Sequence, residues 1–344
     1  MLKKLMNEAF CTLRIETTGP LLVKSGHASV IGPDMTPVLT YRNGRQEVFL
    51  PGSSLKGVFR SHLEKIICSF RPGVVCYPFE NINERQTDRD ELRRDYRDSC
   101  GAMFNSYSKK SEGHRQIVEE RTDLVYQTSC PVCRLFGSTG FTGRIAISDA
   151  YLAGDGVRER RDGVGIDRLT GGASHGAKFE LEVVGTGVVF ESEIHLRNFE
   201  IWQLGMLFII LDDLKDELIH IGSGRSRGLG KVRATLSEKQ VGERPGGFVT
   251  SSLRGGREQE PASQLWGLGR WLNDGSYGTW SNDYLELSPS LEPVEWGIRN
   301  TRAFGSGNQE QFKQIRRAAR TQFLQRIQDW PEEFMKPPEP ASKR

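Results

Sequence analysis

The sequence predicts an α+β fold, an antiparallel sheet with helices on one face, of which the ferredoxin-like arrangement is the commonest form. Three observations lead there. Over the first 240 residues the patterns run β–β–α–β–β–α–β with insertions. The strand segments alternate apolar and polar side chains, as half-buried antiparallel strands do. Two longer segments, 53–69 and 198–218, read as helices that carry apolar residues to bury against a sheet.

The elements follow in order. Residues 9–17, "AFCTLRIET", alternate like a strand. A polar loop with Gly and Pro follows, "KSGHASVIGPDMTP", residues 24–37. "VLTY" and "EVFLP" are short strands flanking an "RNGRQ" turn. "PGSSLKGVFRSHLEKI" then turns into a helix with Leu55, Val58, Phe59, Leu63 and Ile66 available for burial. Residues 77–129 are dense in both charges and poor in apolar anchors, the texture of a solvated insertion. "GRIAISDAYL", 143–152, returns to strand character, and the Gly- and Arg-rich stretch 154–177 reads as a long loop. Such a loop is uncommon unless functional. "KFELEVV" and "VVFESEIHL" form a strand pair, 198–218 a core helix, and "IHIGSGRSRGLGKVRATL" a strand, a glycine loop and a strand. From Val241 the chain reads as an irregular extension until 308–330. There Ile315, Ala319, Phe323, Ile327 and Trp330 fall at helical spacing. The division is thus 1–240 and a C-terminal extension, 241–344.

Composition excludes several classes. Hydrophobic residues make up 37% and charged residues 26%, enough for a packed core. The net charge of +3 is too small for a polybasic tail, so any nucleic-acid surface depends on where the charges lie. No apolar run reaches membrane-spanning length, and the N-terminus lacks the apolar region of a signal peptide. A cytoplasmic location is expected, and there the six cysteines favour metal binding over disulfides.

Cys130 and Cys133 form a C-x-x-C knuckle, and Cys76 and Cys100 lie upstream. Four thiolates suit tetrahedral zinc, here a structural ion that would pin the charged insertion. Cys68 and His114 are rival ligands, and Cys11 sits in a strand pattern as a small hydrophobe.

Two basic stretches point to phosphate. "IGSGRSRGLGKV" interleaves Gly222, Gly224, Gly228 and Gly230 with Arg225, Arg227 and Lys231. Glycines let the backbone approach a phosphate and cations neutralise it, but a strand follows this loop, so it is neither a Rossmann nor a Walker loop. "RERRDGVGIDRLTGG" places an apolar segment ending at Ile166 between Arg161 and Arg168, a layout that can wedge between bases. The turn at Ser53 and Ser54, with Lys56 and Arg60 one helical turn apart, offers a helix N-terminus and two cations to an anion.

Together "LPGSSLKGVFRSHLE", "CPVCRLFGS", "RDGVGIDRLTGGA" and "IGSGRSRGLGKV" resemble the backbone subunits of type III CRISPR-Cas effector complexes, members of the RAMP superfamily. The resemblance covers roughly residues 8–238 and is closest to the zinc-containing versions of type III-D complexes and the single-chain type III-E effector. It implies a modified RNA-recognition-motif palm, a β-hairpin thumb at about 153–178 and a zinc-binding insertion at about 68–135. It also implies partners: the guide RNA, the target RNA, neighbouring RAMP subunits, and the large and small subunits of the complex. No membrane partner is implied. Lys56 and Arg60 would hold guide phosphates, and Asp34 matches the loop aspartate that cuts target RNA with magnesium or another divalent metal. The family often reads Gly-x-x-Asp-x-Pro-Val where this chain has Gly-Pro-Asp-Met-Thr-Pro-Val. His27, in the same loop, is a candidate acid or base. Two alternatives stand beside this reading: a structural RNA-binding subunit that does not cut, and an endoribonuclease that processes precursor guide RNA.

Overall fold

The computed structural model describes residues 4–26, 32–78, 95–254 and 258–336. At its centre is β1 (Asn7–Thr17), whose alternation sends Ala9, Cys11, Leu13 and Ile15 into the core and leaves Arg14 and Glu16 exposed. A hairpin of Leu39–Arg42 and Arg45–Val48 turns through Asn43 and Gly44, both at positive φ. It leads to α1 (Gly52–Phe70), which buries Leu55, Phe59, Leu63 and Ile67 as one stripe. A set of short helices follows, among them Cys100–Ser108 and Pro131–Phe136.

β2 (Arg158–Ile166) and β3 (Ala173–Val184) form a long antiparallel hairpin, and Leu21 and Met35 of the loop after β1 bridge to its base at Val184 and Leu181. β4 (Val189–Arg197) lies along one side of β1, and α2 (Ile201–Lys215) follows it. On the other side of β1, β5 (Val232–Leu236) pairs with Leu13–Thr17 and β6 (Phe248–Leu253) with Asn7–Cys11. β7 (Arg299–Phe304) pairs with β6, and α3 (Gln309–Gln328) closes the core. Residues after 241 therefore extend the same antiparallel sheet, of eight strands, that the earlier residues build.

α2 is buried on nearly every side because α3 covers the face it turns from the sheet. Gly205 allows that contact, since a Cβ there would lie 2.3 Å from the Ala319 carbonyl oxygen. Asp283, from the extension, accepts from the N–H groups of Ile201 (2.8 Å) and Gly269 (2.9 Å) and so caps α2.

One pairing and two stretches differ from the sequence reading: 178–184 pairs with β2 and 189–197 with β1, not with each other. Residues 154–177 contain most of a hairpin, not a loop, and 241–307 contribute strands where an irregular segment was expected. β2 and much of β3 are exposed on both faces, so no apolar alternation marks them. β6 buries Thr250, Ser251 and Ser252, which hides the pattern there. Among the described residues no helix is long and apolar enough to cross a membrane.

Candidate nucleic-acid interface and metal centre

Cys76, Cys100, Cys130 and Cys133 converge, with all four sulfurs within 4.8 Å of one another and all four residues buried. The Cys76 sulfur lies 3.5 Å from that of Cys133 and 3.6 Å from that of Cys130. Disulfides would need about 2.05 Å. A tetrahedron with metal–sulfur bonds of about 2.3 Å has edges of about 3.8 Å, so the four thiols fit a metal such as zinc. Local structure sets them there. Ser99 caps the helix that Cys100 begins, and the Cys130 sulfur accepts the Cys133 N–H at the start of the Pro131–Phe136 helix. The rivals lie elsewhere: Cys68 donates to the Asp95 carbonyl, and His114 stacks edge-on against Tyr107 on an exposed helix.

Two arginines reach the sulfurs. Arg97 donates to Cys100 (3.2 Å) and Arg60 to Cys133 (3.3 Å). Arg60 also pairs with Glu64 (2.8 Å) and donates to the Gly137 carbonyl (3.0 Å). Burial works against its charge, but the Cys133 sulfur, Glu64 and the Cys130 sulfur outweigh that and keep it protonated. Such contacts orient and neutralise metal ligands. Its neighbour Lys56 lines a groove of about 710 Å³ with Arg60, Tyr77 and Tyr96, and burial with the Arg60 charge pushes its ammonium below the usual lysine range.

The anion at the start of α1 is the protein's own. Gly52 N–H donates to Asp149 Oδ1 at 2.7 Å, while neither Ser53 nor Ser54 caps the helix. The carboxylate satisfies a donor that the sequence reading had offered to phosphate.

A second constellation lies at the Thr17 end of β1. There a small core of Leu22, Leu181, Val183 and Leu229, with Met35 and Phe179 packed on it, joins three elements. They are the loop after β1, the base of the β2–β3 hairpin and the glycine loop. Asp34 is exposed beside this core, and its Oδ2 accepts the Glu180 N–H at 2.8 Å. Arg227 lies over the Phe179 ring at 5.5 Å. Arg225 donates to the Gly222 carbonyl, and Lys231 is paired with Glu217 at 2.7 Å. Arg225 and Arg227 have no carboxylate partner among the described residues.

The glycines build the loop. Gly222, Gly224, Gly228 and Gly230 all have positive φ. A Cβ at Gly222 would lie 2.3 Å from the Leu22 carbonyl oxygen, and one at Gly230 equally close to that of Ile221.

Ile166 is 59% exposed near the hairpin end, Arg161 is paired with Glu159, and Arg168 is exposed in the turn. Among the described residues the most exposed large apolar side chain is Leu169, at 97%, in a turn where Asp167 Oδ1 accepts the N–H groups of Leu169 and Thr170. The sequence reading passed over Leu169. Its signal was the Asp-x-x-Thr-Gly-Gly turn around it. His27 lies outside the described residues. His62, Nε2 2.6 Å from Asp213 Oδ2 and close to Arg225, is a further polar pair near the glycine loop.

A family model for the RAMP superfamily matches residues 14–233, from within β1 to within β5. No curated protein matches the chain.

Proposed function

The chain belongs to the RAMP superfamily, and on that premise we propose that it is a guide-RNA-binding backbone subunit of a type III CRISPR-Cas effector complex that cuts complementary target RNA. Membership is consistent with a CRISPR-associated RNA-binding subunit. One observation carries the reading. The small core at the Thr17 end of β1 holds the Asp34 loop, the hairpin and the arginine-bearing glycine loop together. Backbone phosphates then meet Arg225 and Arg227, while Leu169 and Ile166 extend an apolar hairpin end toward the bases.

Cutting would begin from the RNA's own 2′-hydroxyl once a base is splayed and the 2′-oxygen lines up with the phosphorus. Asp34 is held by the Glu180 N–H through one oxygen and is exposed to the strand lying there. Among the described residues, only the four cysteines form a cluster able to hold a metal by themselves. Asp34 alone therefore fits magnesium or another divalent ion only as one ligand beside RNA phosphate oxygens, a common arrangement for magnesium. Such an ion would supply charge stabilisation at the scissile phosphate. The partners in this reading are guide RNA, target RNA, neighbouring RAMP subunits, and the large and small subunits, in the cytoplasm.

The test is guide-RNA binding by charge variants. Arg225→Ala with Arg227→Ala should weaken binding of all RNA sequences alike and lower the slope of log affinity against log salt by about 1.4, two single-strand phosphate contacts. Lys56→Ala should lower the slope by about 0.7 on the same count. Arg60→Ala should instead reduce retained metal, because its guanidinium is committed to Cys133 and Glu64. Slopes unchanged in all the lysine and arginine variants would reject the RNA-binding reading.

A further inference from the structure

The far end of β1 carries a second basic site that the proposed function does not use. Even-numbered residues of β1 point away from the core helices, and on that face Glu8, Phe10 and His195 meet across β1 and β4. Beside them is a cavity of about 620 Å³ lined by Lys4, Glu8, Arg144, His195, Arg197 and Arg299. Glu8 to Thr17 spans nine residues of strand, roughly 30 Å at about 3.4 Å each, so this cavity is remote from the glycine loop.

Its charge is one-sided. Four cations face one carboxylate, and that carboxylate is spent: Glu8 Oε1 takes His195 Nε2 at 2.9 Å and Oε2 takes Arg299 Nε at 2.7 Å. Burial opposes the Glu8 charge, but the His195 and Arg299 hydrogen bonds outweigh it and hold the carboxyl below its usual range. Lys4, Arg144 and Arg197 have no carboxylate partner among the described residues. Arg144 is 4% exposed. Its guanidinium donates to the Tyr126 hydroxyl and the Asn198 carbonyl, and its Nη2 has no partner among the described residues. The Tyr126 hydroxyl passes on to the Glu200 carboxylate at 3.2 Å, so Arg144 shares that charge at one remove and makes no ion pair of its own. The exposed forked guanidinium of Arg197 and the ammonium of Lys4, with the Arg144 charge behind them, suit an oxyanion such as phosphate.

We infer that this cavity is a second anion site, taking the phosphate of a nucleotide, either within an RNA strand or free. The choice of ligand rests on the RNA-binding reading above; the preference for an oxyanion rests on the cavity's excess of positive charge.

The test uses the purified full chain with Lys4→Glu and Arg197→Glu together. Both side chains are exposed, and an unchanged metal content will show that the variant is folded. A matched reversal at the exposed Lys109 and Lys110 controls for net charge. Two probes are titrated: a fluorescent ten-nucleotide single-stranded RNA over a salt series, and uridine monophosphate by calorimetry. If the ligand is an RNA strand, the variant's salt slope falls by about 1.4, the control's does not, and the mononucleotide fails to bind either protein. If it is a free nucleotide, the mononucleotide binds the wild type, binding is lost in the variant, and the RNA slope stays fixed. Neither probe responding to the variant, or both responding equally to the control, overturns the inference. Failure of the RNA-binding reading shows separately, as RNA affinity indifferent to Arg225 and Arg227.

Discussion

Cys133→Ser protein will lose its metal and, with it, the ordered structure of residues 95–136. The segment cannot hold itself. Its helices are short, the Glu112–Glu120 helix buries no residue, and helices below about 12 residues are marginal without packing. What buries this region is the cysteine cluster with Phe104, Val125, Tyr126, Val132, Leu135 and Phe136 around it. A structural zinc site contributes on the order of 10 kcal/mol of folding free energy, comparable to the whole stability of a domain. Losing one thiolate also leaves the half-buried guanidinium of Arg60 facing a serine. The damage will spread to the C-terminus. Arg97 donates to the Phe334 carbonyl (3.0 Å), and the fully buried Arg134 lies 4.3 Å from the Trp330 ring. Elemental analysis will give about one zinc per wild-type chain and almost none for Cys133→Ser. Limited proteolysis will cut the variant between 95 and 136 while sparing the sheet. A metal-free variant that resists the protease as the wild type does would show that the cysteines only pack.

Asp34→Ala in the assembled complex will slow target cutting at this subunit's site by roughly 100-fold or more, the usual loss when one interaction with the transition state is removed. Guide and target binding will stay nearly intact, because affinity comes from many phosphate contacts and one exposed carboxylate adds little to it. Asp34→Asn sharpens the test. Its side-chain oxygen still accepts the Glu180 N–H, so the loop keeps its anchor while the charge is gone. If cutting needs the charge, both variants fail alike. If Asp34 serves only to pin the loop to the hairpin, the asparagine variant cuts normally and the alanine variant loses binding as well. Wild-type rates in both would assign the chain a structural role in RNA binding.

Local elements were legible, and long-range ones were not. The strand read over 9–17 is Asn7–Thr17, and the helix read over 53–69 is Gly52–Phe70, because each carries its own period. The C-x-x-C knuckle announced the cysteine cluster, since Cys130 and Cys133 lie within one helical start; that Cys76 and Cys100 join them depends on how 54 residues fold back. The helix start of α1 illustrates the limit. Its residues advertise an anion site, but the anion is Asp149, 97 residues away in sequence and invisible to any local pattern. Arg60 reads as a surface cation one turn beyond Lys56, yet its guanidinium turns inward to Cys133. The glycine loop kept its sequence meaning in part. Arg225 and Arg227 are exposed as expected, whereas Lys231 is tied to Glu217 and the glycines at 222 and 230 answer to neighbouring carbonyls.

In the proposed function RNA is handled at the Thr17 end of β1. Ultraviolet crosslinking of the assembled complex to guide RNA, with and without target, followed by mass spectrometric mapping on this chain, tests it most directly. Guide crosslinks are expected in 222–231, and, when target is added, new ones at Ile166–Thr170 and beside Asp34. Crosslinks confined to other surfaces, with 158–170 and 222–231 unlabelled in both states, would contradict it.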